Sequence, residues 1–74
     1  MPKRLPRLTA AEVTRVLRSH GFTLVSQLGS HQKWRNQETG KQVIFPYHQG
    51  KDLPIGTLRN ILEGSGIPEE AFLP

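Results

Sequence analysis

Apolar residues recur at two different periods along the chain, and the change of period divides it. After Thr9 the spacing is helical: Val13, Val16, Leu17 and His20 fall on one face. Thr9 is a favourable N-cap, Glu12 three residues later completes a capping box, and Leu8 with Val13 occupies the positions of a hydrophobic staple. Gly21 stands where a left-handed residue ends a helix, so the pattern predicts a first helix over residues 10–20. His20 belongs to that helix end, where the dipole favours a partly positive imidazole, and is read as structural.

From Phe22 the period shortens to two. Residues 22–27 are rich in strand formers, Leu28, Gly29 and Ser30 turn the chain, and residues 31–36 form a second strand. Gln37, Glu38, Thr39 and Gly40 make a hairpin connection to a third strand at 41–45, which Pro46 ends because it has no amide hydrogen for the ladder. Two tight turns between three short strands imply an antiparallel meander. A polar loop at 47–54 follows, then a second helix opened by Pro54 or Ile55, with Leu58, Ile61 and Leu62 as its buried stripe and Gly64 or Gly66 as its stop. A closing turn at 67–72 brings Phe72 back to the core.

Both helices need one apolar surface, and an antiparallel sheet offers one while leaving the other wet. The expected fold is therefore α+β in the order αβββα, a three-stranded antiparallel sheet with two helices on one face. Its core is expected from Val13, Val16, Leu17, Phe22, Leu24 or Val25, Trp34, Val43 or Ile44, Phe45, Leu58, Ile61, Leu62 and Phe72. Alternation in the middle strand sends Trp34 inward and puts His31, Lys33 and Arg35 together on the open face. On these residues alone His31 is either a solvated histidine after a Gly-Ser turn or a working group.

Composition narrows the choice. Seventy-four residues are read as a single domain, 1–74, with residues 1–8 as a loose basic arm carrying Lys3, Arg4 and Arg7. Cysteine is absent, which rules out disulfides and thiolate metal sites and suits a reducing cytosol. No apolar run approaches the length of a membrane span, and the basic start leads into a polar helix rather than a signal-peptide segment, so a soluble cytoplasmic protein is expected. The first 35 residues hold seven cations against Glu12, the remainder three cations against five acids, and the net charge is +4. Cations gathered in one half are the electrostatic footprint of a polyanion binder. Glu12, Glu38, Asp52, Glu63, Glu69 and Glu70 are scattered and the three histidines lack zinc-ligand spacing, so neither metal nor cofactor is expected.

Four linked features carry a family resemblance. They are Gly21-Phe22 after the first helix, Gly29-Ser30-His31 with Trp34 three residues on, Pro46-Tyr47-His48 after the third strand, and Gly56-Thr57-Leu58 leading to Ile61-Leu62 in the second helix. In this order and spacing the chain, from Thr9 to Phe72, resembles the HicA family, the mRNA-cleaving toxins of bacterial HicA/HicB toxin–antitoxin pairs. The resemblance implies the fold of a double-stranded-RNA-binding domain, mRNA as substrate, a HicB-type antitoxin as protein partner, and His31 as the catalytic residue. Many members carry Lys or Arg before that glycine, where this chain has Leu28. The phosphate contact expected there is then absent, or supplied by Lys33 or the basic arm.

RNA cleavage needs one proton taken from a hydroxyl and another given to the leaving oxygen, and an imidazole with a pKa near 6.5 does either around neutral pH. The expectation is that His31 is general base or acid while Lys33, Arg35 and Ser30 bind the scissile phosphate. His48 is a second proton-transfer group or orients its loop. Lys51, and Gly56 with Thr57 at a helix N-terminus, are phosphate contacts or, for the last two, simple helix capping. The rival from another class is a non-catalytic RNA-binding module of the same fold. A third reading makes the chain chiefly a partner-binding protein, and the state of self-association is left open.

Overall fold

The computed structural model describes residues 5–73; Pro2, Lys3 and Arg4 of the basic arm lie outside them. Helix α1, Ala10–Ser19, starts as its local sequence dictates. The Thr9 hydroxyl accepts from the Glu12 amide at 3.2 Å while the Glu12 carboxylate accepts from the Thr9 amide at 3.0 Å, so two otherwise orphaned donors are satisfied reciprocally. The helix is one residue shorter than its pattern, with His20 as C-cap and Gly21 taking the positive φ of 87° that follows. Ahead of it, the Leu8 carbonyl accepts from the Leu53 amide at 2.7 Å, and Thr9 bridges to Asp52. The entry to α1 is thereby tied to the loop that leads into the second helix.

Strands β1, Phe22–Leu28, β2, His31–Asn36, and β3, Gln42–Pro46, form an antiparallel sheet in chain order. The β1–β2 turn holds only Gly29 and Ser30, and Gly29 alone of the two has a positive φ, 60°, as a type II′ hairpin requires at its first central residue. The β2–β3 turn is organised by Asn36, whose side-chain oxygen accepts from the amides of Glu38 and Thr39 while its amide group donates to the His20 carbonyl at 3.0 Å. One side chain therefore shapes a turn and pins it to the end of α1. Pro46 is the last residue of β3 rather than the first beyond it, opposite His31, since an edge strand tolerates a missing donor.

Both helices cover one face of the sheet. Val13 and Leu17 of α1 meet Phe22, Trp34, Val43 and Phe45 from the strands and Leu58 and Ile61 from α2, Ile55–Ser65, in one buried cluster, closed by Phe72 from a 3-10 turn at Glu69–Phe72. Helix α2 ends at Gly66, left-handed at φ 69°, and approaches β3 so closely that a Cβ on Gly64 would meet Val43 Cγ1 at 3.1 Å. The expected core needs correction on β1. Leu24 and Val25 are 41 % and 43 % exposed, because β1 is an edge strand and only its Phe22 reaches beneath the helices. Val43, not Ile44, faces inward, Val16 and Leu62 are half-buried, and Ala10, Leu53 and Ile67 complete the interior.

Candidate functional site

The face of the sheet away from the helices is built by register. In antiparallel strands directly paired residues share a face, so the outward set of β2 can be read row by row. His31 lies between Leu28 and Pro46, Lys33 between Ser26 and Ile44, and Arg35 between Thr23 and Gln42. None of these nine positions is acidic. Successive members of the His31, Lys33, Arg35 column stand about 7 Å apart, two strand residues on. His31 and Arg35 are exposed and Lys33 is half-buried. An imidazole and two cations thus line one open column, with no carboxylate beside them to neutralise it.

The turn delivers the histidine. With Gly29 and Ser30 making the reversal, His31 is the first residue of β2 and stands at the end of the sheet. The Ser30 carbonyl accepts from the Tyr47 amide at 2.7 Å, which brings the loop after β3 against the turn and sets exposed His48 one residue beyond that contact. His31, Lys33 and Arg35 therefore share one face of the sheet along the length of β2, and Ser30 and the loop that carries His48 stand at the His31 end of that column. Lys51 and Thr57 stand apart from that column. Lys51 is an exposed loop residue whose amide donates to the His48 carbonyl at 3.3 Å, and Thr57 is in the first turn of α2. The capping alternative for Thr57 is not what the structure shows: α2 begins at Ile55, its N-cap is Pro54 with no side-chain cap, and its first turn contains no acid.

Other titratable groups have separate employment. The His20 ring nitrogen Nδ1 lies 3.0 Å from the Val16 carbonyl, so this imidazole closes the last turn of α1. Arg18 lies over the Trp34 ring, 5.2 Å from its centroid, and roofs the core rather than the open face. Glu12 is held below the usual carboxylate range, chiefly by the Thr9 amide and then by the Thr9 hydroxyl, with a smaller share from Arg15. Among the described residues no group of three or more His, Cys, Asp or Glu is placed to hold a metal ion. Among the described residues no helix is long and apolar enough to cross a membrane.

Two parts of this surface escaped the sequence reading. Leu28 and Ile44, 86 % and 55 % exposed, stand among the cations of the open face, an apolar admixture that alternation alone did not reveal. The bond from Tyr47 to Ser30 is a backbone contact, which no side-chain pattern announces.

Comparison with known proteins bears on the whole arrangement. Residues 10–67 match the sequence model of a family described as the HicA toxin of bacterial toxin–antitoxin systems. A search of curated proteins found no match.

Proposed function

Because the chain belongs to the HicA toxin family of bacterial toxin–antitoxin systems, we propose that it is an endoribonuclease that cleaves mRNA without a metal, with His31 as the proton-transfer group. The observation that carries this reading is an exposed histidine at the mouth of an acid-free column of cations. Lys33 and Arg35 supply the charge that draws a ribose-phosphate backbone across β2 and offsets the negative charge that develops on the scissile phosphate. The Ser30 hydroxyl is a further donor at the same end, and His48, on the loop joined to the turn, is the candidate for the second proton. Lys51 and the uncapped amides near Thr57 contact phosphates farther along the same RNA.

The toxin acts as one unit, residues 1–74, since its core draws on residues from Leu8 to Phe72. Its partner is a HicB-type antitoxin that covers the basic face, and its place of action is the cytoplasm, where messages are found.

The test sets purified protein beside His31→Ala, each with mRNA in EDTA. The expected result is cleavage by the parent and a loss of about 10² to 10⁴ in rate for the variant, the usual worth of a positioned acid or base, with RNA binding kept by both. Equal cleavage by the two forms would remove His31 from the chemistry. Binding without cleavage by either would make the chain an RNA-binding module.

A further inference from the structure

Trp34 is buried, and its indole nitrogen is a donor only. Nε1 donates to the side-chain oxygen of Gln32 at 3.0 Å, which settles the orientation of that buried amide. The nitrogen of Gln32 must then face the other way, and it donates to the side-chain oxygen of Gln27 at 3.3 Å. Gln27 in turn presents its own nitrogen to the Gly29 carbonyl at 3.0 Å. Each link fixes the direction of the next, so a one-way chain of donors runs from the immobile core to the first residue of the turn. Gln27 and Gln32 are register partners on β1 and β2, one residue inward from the Leu28–His31 pair.

We propose that Gln27 and Gln32 are positioning residues, an amide relay hung on the Trp34 indole that holds the Gly29–Ser30 turn and thereby fixes His31 on the open face. Gly29 is held by this relay and Ser30 by the Tyr47 amide at 2.7 Å, so consecutive carbonyls of the reversal are anchored from two sides, by β1 and by the loop after β3. Both glutamine side chains lie on the face of the sheet opposite the His31, Lys33 and Arg35 column. The inference rests on the reading of His31 as the proton-transfer residue.

Gln27→Met tests it, because Gln27 is exposed and methionine keeps its length without its amide or any new charge. Backbone order parameters of Gly29, Ser30 and His31 are measured by NMR relaxation, alongside thermal unfolding, kcat for RNA cleavage, and RNA affinity in the His31→Ala background. Expected are order parameters at the turn falling from about 0.85 toward 0.6, kcat falling about tenfold for a misplaced group, and unchanged affinity and melting temperature. Unaltered order parameters overturn the relay, whatever the kinetics. A loosened turn with unchanged kcat overturns its bearing on His31. If the parent protein does not cleave RNA, the nuclease reading falls and this role with it, while the order parameters still decide whether the relay holds the turn.

Discussion

Trp34 stands where three kinds of interaction converge. Its ring is 1 % exposed, Arg18 covers one side, and its indole N–H is met by Gln32. Truncation leaves a large cavity and an unpartnered buried oxygen together. Trp34→Ala should cost about 3 to 5 kcal/mol, a large part of the total stability of a small domain, and urea titration should show little or no folded baseline. The inward direction of this residue was legible from alternation within six residues. The tasks of Gln27 and Gln32 were not, because an amide pair across two strands depends on register, and register is settled by the turn and by a bulge rather than by either glutamine. The histidine of the turn was legible as exposed, since it follows a Gly-Ser reversal and alternates with Trp34.

Helix α1 shows why helix ends are read more easily than strand interiors. Its N-cap, capping box and terminal glycine act within four residues of sequence, and the structure keeps all three. The box also carries a pH dependence. Glu12 titrates below its ordinary 4.5 when folded, so its contribution to stability is complete above that value and is lost as the pH falls through the lowered folded one. The melting temperature of the parent should exceed that of Glu12→Ala at neutral pH, and the gap should close as the pH is taken down through the lowered folded value; a gap that stays constant as Glu12 is protonated would mean that the carboxylate is not what caps the helix. Strand β1 is the contrary case. Leu24 shares the inner face with its partner Trp34 yet remains 41 % exposed, because burial there depends on how far the helices extend over the edge, which the sequence of the strand does not contain.

Across the whole molecule charge is sorted by layer. The acids sit on the helices, the closing turn, the β2–β3 connection and the loop before α2, while the outward rows of the sheet hold none. A polyanion meeting the sheet encounters cations and two exposed apolar side chains, and releases counterions as it binds. Removing both Lys33 and Arg35 should flatten the dependence of log affinity on log salt by about 1.4 for single-stranded RNA, measured as a binding titration over a salt series. An unchanged slope would move the contact surface elsewhere. The shape of this surface also turns on Val25, the spare residue between Leu24 and Ser26 where β1 slips against β2. Counting strictly by twos from Phe22 would turn Leu28 to the helix side and Gln27 to the open face. The spare residue inverts that parity for the last three positions of the strand, turning the exposed Gln27 to the helix side of the sheet and raising a leucine beside the histidine. One supernumerary amino acid thus decides which side chains the far end of the hairpin sets beside the histidine and which it sends to the opposite side.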